Sequence, residues 1–150
     1  MDAVTYPQKE VIDFIDTYLV PLRLTLGQEA LQDKYKTFWT PTTVVLDRDG
    51  DEKQREIGFF EPQELIAVLH LGLAKVHLDA GEHDTAEVHL KKLLENFADT
   101  TPVAEAVYFR GVNGYKSQDD PGKLKEAYEI LRENHAGSRW AKRAAPYRLI

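Results

Sequence analysis

Five histidines, a run of aspartates and the lack of any cysteine bound the chemistry open to this chain. His70 and His77 fall on one amphipathic stretch, seven residues apart, and His83 and His89 lie on or near the next. Two imidazoles on one helix share a zinc ion at i, i+4 spacing, and no third ligand is forced into place here. The histidines therefore read as packing or solvated groups, and no metal is expected. Asp47-Arg48-Asp49-Gly50-Asp51 invites a calcium loop. Counted from Asp47, however, Glu52 stands where such a loop needs glycine, and Gly58 stands where it needs a bidentate glutamate. A hairpin reading replaces it, because Asp49-Gly50 supplies the positive φ of a two-residue turn.

Without cysteine there is no thiolate nucleophile, no disulfide and no Cys-based zinc site within these residues. Ser117 and Ser138 are the only serines. The first falls near a helix end, and the second reads as a helix cap. No nucleophile elbow, phosphate-cradling glycine loop or dinucleotide fingerprint occurs. The many carboxylates read as solvated faces. No catalytic residue and no cofactor is expected. Arg139, Trp140, Lys142, Arg143, Tyr147 and Arg148 make a basic, aromatic tail that could meet a nucleic acid by charge and stacking. With a net charge of −6 and a pI near 5.4, the expectation is instead a cap on a helical array, with no nucleic-acid partner. No apolar run approaches the ~20 residues of a bilayer span. The start, Met1-Asp2-Ala3-Val4-Thr5-Tyr6, lacks the basic and apolar regions of a signal peptide, so a cytoplasmic chain is expected.

The elements that would position these groups follow from periodicity. Pro7 to about Leu19 reads as a helix with Val11, Phe14, Ile15 and Tyr18 on one face. Val20 to Leu26 alternates apolar and polar, which predicts a strand stopped by Gly27. A short helix, about Gln28 to Lys36, delivers the chain to Phe38-Trp39-Thr40-Pro41-Thr42. Pro41 must sit where no ladder donor is needed, at the strand's first residue or in a special turn, and a cis Thr40–Pro41 bond would suit that turn. Thr42 to Leu46 then forms a strand, and the Asp49-Gly50 hairpin leads to a second one ending near Ile57. Beyond Phe60 the pattern turns helical. Helices are predicted from Pro62 to Gly81, from Asp84 to Asn96, from a Thr101-Pro102 cap to Lys116, from Asp120-Pro121 through Leu131, and around Trp140 to Ala145.

Those helices repeat. Ala67-x4-Gly72 recurs thirty-nine residues on as Ala106-x4-Gly111, and Leu93-x-Glu95-Asn96-Phe97-Ala98 recurs thirty-eight residues on as Leu131-x-Glu133-Asn134-His135-Ala136. Small residues at matched places let paired helices approach closely, as in helix-hairpin arrays. The interval exceeds the ~34 residues of the common tetratricopeptide repeat, so the description is tetratricopeptide-like.

Leu31-x2-Lys34-Tyr35-x5-Pro41-Thr42, followed by strand, Asp-Gly hairpin, strand and Gly58-Phe59, resembles the C-terminal half of the thioredoxin fold. In that family the proline is cis, faces the redox cysteines and flanks a surface that grips an extended peptide. The later helices, with Gly111-Val112-x2-Tyr115-Lys116 and Ser138-x-Trp140-Ala141-Lys142-Arg143, resemble helical tails fused to some bacterial thioredoxin-like proteins. The family's first strands and its C-x-x-C helix have no counterpart here. The gap leaves three outcomes: Val20–Leu26 pairs directly with Thr42–Leu46, a partner strand fills the slot, or the gene begins upstream of Met1, which is the expectation.

The fold class expected is α/β: a partial thioredoxin-like sheet over residues 1–61, then a right-handed, tetratricopeptide-like helical-hairpin array over 62–150. The function expected is non-enzymatic binding of a protein or extended peptide, with Trp39, Thr40, Pro41 and Thr42 as the holding edge and the concave side of the helices as a second surface. Two alternatives accompany it. One is the C-terminal part of a thiol-disulfide oxidoreductase or redox-linked chaperone whose cysteines lie upstream; the other is an assembly protein that completes its sheet by dimerising through unpaired strand edges.

Overall fold

A computed structural model describes residues 1–25 and 27–150, and the account below is of those residues. Seven α-helices and one two-stranded antiparallel sheet make a mostly helical α/β chain. Helix α1 (Lys9–Tyr18) buries Val11 and Phe14. The strand predicted from Val20 to Leu26 is not found over Val20–Thr25, and Leu26 lies outside the described residues. Val20 and Leu22 are exposed there. Alternation supplies a potential apolar face but no ladder, and Pro21 withholds a donor. Direct pairing of this segment with Thr42–Leu46 does not occur among the described residues, where the sheet has only two strands.

Helix α2 (Glu29–Tyr35) buries no residue and stops at Lys36, which is left-handed with φ 51. Strand β1 (Thr42–Leu46) pairs with β2 (Glu52–Ile57), Thr42 opposite Ile57 and Val45 opposite Gln54. The link is longer than the two-residue turn expected. The Gly50 N–H donates to the Asp47 carbonyl at 3.1 Å and the Asp47 N–H to the Asp51 carbonyl at 2.9 Å, with Gly50 at φ 87. Asp47 explains the change, because its Oδ1 accepts from the N–H groups of Asp49 (3.0 Å) and Asp51 (2.9 Å) and so organises a wider turn. Those backbone donors hold its carboxyl below the usual range, the Asp51 N–H foremost. A bulge between Val45 and Leu46 leaves Lys53 as the extra residue. Lys53 reaches Asp47 at 3.2 Å and Asp79 at 3.0 Å, tying the hairpin to the end of the following helix.

Helix α3 (Pro62–Asp79) is the shared core element. Leu65, Ile66, Leu69 and Leu73 pack with Val11, Phe14 and Val45, while Ala67, Leu71 and Ala74 pack with Leu90, Leu93, Val103 and Ala106. A helix apolar all round belongs inside, and α3 has structure on both sides. Helices α4 (His83–Asn96), α5 (Val103–Gln118), α6 (Gly122–Asn134) and α7 (Arg139–Ala144) follow, then a 3₁₀ turn, Ala145–Leu149.

The repeat has a geometric counterpart. Ala67 and Ala106 are fully buried, as are Leu93 and Leu131. Helices α4 and α6 end alike, at Phe97 (φ −132, ψ 36) and His135 (φ −136, ψ 35), each donating its N–H to the matching leucine carbonyl. The two glycines differ. Gly111 lets α6 approach, since a Cβ there would lie 2.4 Å from Ala127 Cβ, but Gly72 admits the strand residue Val45 (2.6 Å to Cγ2) rather than a helix. Thr101 also departs from expectation and does not cap α5. Its N–H donates to Glu64 of α3 at 3.0 Å and its hydroxyl turns to the same carboxylate. Ser138 does cap α7, accepting from the Ala141 N–H at 3.0 Å.

Candidate functional site

Arg55 on β2 sets the position of the Phe38–Thr42 turn. Its Nη2 donates to the Tyr35 carbonyl at 2.6 Å and its Nη1 to the Lys36 carbonyl at 3.3 Å, while Glu52 accepts from Nε at 2.8 Å. The guanidinium thus satisfies carbonyls at the negative end of α2 and clamps that end onto the sheet. The chain then enters β1 through a cis Thr40–Pro41 bond. Thr42 Oγ1 donates to the Trp39 carbonyl at 2.6 Å, and the Gly58 N–H donates to the Pro41 carbonyl at 2.9 Å. Trp39, Thr40, Pro41 and Thr42 therefore form one closed turn at the mouth of β1.

The surface around this turn is apolar. Phe38 and Trp39 are 69% and 72% exposed; Ile57, paired with Thr42, is 57% exposed, and Phe59, one residue past the Gly58 that bonds Pro41, is 51% exposed. Large exposed side chains scattered singly need no explanation, but several at one strand mouth mark an interaction surface. The backbone points the same way. In an antiparallel pair, alternate residues turn their N–H and C=O toward the partner. Since Pro41 accepts from Gly58, Thr43 and Val45 face β2, and Thr42, Val44 and Leu46 face outward. No strand among the described residues meets that outward row. The arrangement offers hydrogen-bonding groups and aromatic surface, which is equipment for holding a chain segment.

Two polar clusters elsewhere are structural. His70 Nδ1 and His89 Nδ1 lie 2.9 Å apart in the interior between α3 and α4, with Phe14 edge-on to His70, Tyr18 edge-on to His89, and His77 stacked on His89. Burial pulls His70 down to about 3, with His89 and Lys92 adding to the effect, and pulls His89 down to about 4, with His77 and Lys92 adding. His77 instead meets Glu82 at 2.5 Å, and His83 meets Asn113 at 2.9 Å. Among the described residues no group of three or more ligating side chains is arranged to hold a metal. In the second cluster Lys75 contacts both Gln54 and Glu105, Gln54 donates to Glu56 at 2.8 Å, and Arg139 reaches Glu105 at 3.3 Å. Burial, then the Glu105 charge, raises the Glu56 carboxyl. This network joins β2, α3, α5 and α7.

Comparison of the chain with protein-family models, with curated proteins and with solved structures gives no match. Sequence reasoning placed the turn but missed Arg55 as its support and Ile57 and Phe59 as exposed apolar neighbours. Gly58-Phe59 stood in the pattern, and Ile57 is the one large apolar residue closing an otherwise polar strand; together they were the available signal. The histidine pair and the Lys75 network had fainter ones. Lys75 and Glu105 are charges set between apolar neighbours on buried helix faces, which requires partners.

Proposed function

We propose that this chain is a non-enzymatic peptide-binding module of thioredoxin-like ancestry, carrying a tetratricopeptide-like helical-hairpin array, that takes an extended segment as an added strand along the outer edge of β1. The observation that carries the reading is the outward row of Thr42, Val44 and Leu46 beginning beside exposed Phe38, Trp39, Ile57 and Phe59. Main-chain bonds would supply affinity, and the apolar turn would select side chains near the strand's start. Lacking cysteine, these residues perform no thiol-disulfide step themselves.

Val44→Pro tests this directly. Val44 faces away from β2, so proline there removes an outward donor without breaking the ladder, a position where edge strands tolerate it. A fluorescently labelled Val/Thr-rich peptide should bind the native chain and bind Val44→Pro at least ~10-fold more weakly, with an unchanged far-UV circular dichroism spectrum. The same peptide methylated on alternate backbone nitrogens should lose binding to the native chain, which covers the case of a variant that misfolds. Equal affinity for the methylated peptide would overturn the strand-addition reading.

A further inference from the structure

A concavity of about 550 Å³ opens between α5, α6, α7 and the 3₁₀ turn. Its lining includes the rings of Tyr108, Phe109, Trp140 and Tyr147 and the cations Lys116 and Arg143, and no carboxylate. The Tyr108 and Tyr147 hydroxyls lie 2.9 Å apart, which fixes two of the rings in place. Among the described residues, Lys116, Lys142, Arg143 and Arg148 make no ion pair, although the chain carries 25 acidic side chains against 19 Lys and Arg. Of these, Lys116 and Arg143 lie in the lining and set a local positive field over its aromatic floor.

We propose that this bowl binds an acidic peptide segment, an aromatic or large aliphatic side chain resting on the rings and neighbouring carboxylates on Lys116 and Arg143. The bowl is wide open, whereas small-molecule sites enclose most of their ligand, so the occupant must be anchored by chain that continues beyond it. Charge complementarity selects an acidic segment, and an Arg guanidinium meets carboxylates through a two-pronged fork. A nucleic acid fits less well. Trp140 is only 8% exposed and is already flanked by Arg143 (4.7 Å) and Arg139 (5.2 Å), so it is no free stacking platform for a run of bases. This site is separate from the β1 edge and stands or falls independently of it.

The two tryptophans separate the sites experimentally. In Trp39→Phe, Trp140 is the only indole, so its emission reports the bowl. Titration with the synthetic peptide Glu-Glu-Phe-Leu-Glu-Glu should shift that emission saturably, and added salt should weaken the binding. Adding Lys116→Glu and Arg143→Glu, both exposed positions, should weaken it at least ~10-fold at unchanged circular dichroism. The proposal is overturned if Lys-Lys-Phe-Leu-Lys-Lys or a short oligothymidylate binds equally well, or if the double charge reversal leaves the acidic peptide's affinity intact. Absence of any shift up to ~1 mM peptide, or light scattering that shows a second copy filling the bowl, overturns it as well.

Discussion

Between Gly27 and Phe60 only Val45 and Gln54 are buried, whereas α3 alone buries eleven residues. The hairpin gains its core by leaning Val45 on Gly72 of α3, and α2 is held by Arg55 with no buried side chain of its own. The helices beyond Pro62 share two apolar clusters built from facing pairs. One region is thus secured by a single face and a few polar clamps, the other by mutual packing. Segments with little buried apolar contact open most readily, and they are where binding surfaces can form without dismantling a core. The tryptophans sample the two conditions, Trp39 exposed before β1 and Trp140 buried among Ala104, Leu131 and Ala144.

The largest contrast should therefore come from truncating each indole. Trp140→Ala is expected to cost about 3 kcal/mol, in the range for large aromatic residues removed from a core. Trp39→Ala should change stability by less than ~0.5 kcal/mol, as at other surface positions. Urea unfolding followed by circular dichroism measures both. A large loss from Trp39→Ala would mean that the turn is a buried part of the fold after all.

Acid should attack the interior of the helical region, between α3 and α4. Helix α3 carries His70 and α4 carries His89, and Phe14 and Tyr18 of α1 cover them. His70 and His89 titrate lower when folded, at about 3 and about 4, than the ordinary 6.5. Below pH 6.5 the unfolded chain binds protons that the folded chain refuses, so stability is full above that pH and falls as pH drops toward 4 and 3. At pH 5 the loss should be about 1–2 kcal/mol per ring after allowing for solvent screening. Tyr18, Lys92 and His77, with Glu82 beyond it, are the other polar groups facing the pair. Replacing both rings together (His70→Phe with His89→Leu) should flatten the pH dependence between 5 and 7. An unchanged slope would assign it to carboxylates elsewhere.

This contrast also explains what was legible in the sequence. The helices beyond Pro62 announced themselves as long apolar-rich segments bounded by proline and glycine, and Leu93 and Leu131, thirty-eight residues apart, are both fully buried. The turn at Thr40–Pro41 was legible because proline allows so few backbone environments. Val20–Leu26 misled because alternation describes a strand's faces but not its neighbour, and none is supplied over the described residues. Lys75 and Glu105, thirty residues apart, and His70 and His89, nineteen apart, meet only through tertiary packing, so no local pattern foretold them.

The two glycines test which side yields. A Cβ at Gly111 would meet Ala127 Cβ at 2.4 Å and the Lys123 carbonyl at 3.0 Å, neither of which ends a flexible side chain. Gly111→Ala must push α5 and α6 apart and is expected to cost about 2 kcal/mol net of the helix preference for alanine. Gly72→Ala presses on Val45 of an edge strand with no strand behind it, so about 1 kcal/mol is expected. The reverse order in thermal or urea unfolding would show the hairpin to be the more rigid partner.

The smallest effects should appear at helix starts, where α1 and α7 differ by one side-chain cap. Ser138 (φ −73, ψ 153) and Gln8 (φ −70, ψ 131) have nearly the same backbone geometry, yet only Ser138 caps its helix with a side chain. Ser138→Ala should lose about 1 kcal/mol, and because α7 is short the loss should appear as faster hydrogen exchange at the Ala141 amide. Gln8 spends its side chain on the Val4 carbonyl at 2.9 Å instead. Gln8→Ser gives up that exposed bond and gains a cap, so a gain of about 0.5 kcal/mol is expected, with slower exchange confined to the first turn of α1. Should Gln8→Ser leave α1 exchange unchanged, the first turn of α1 would be held by the packing of Val11 and Phe14 rather than by its cap.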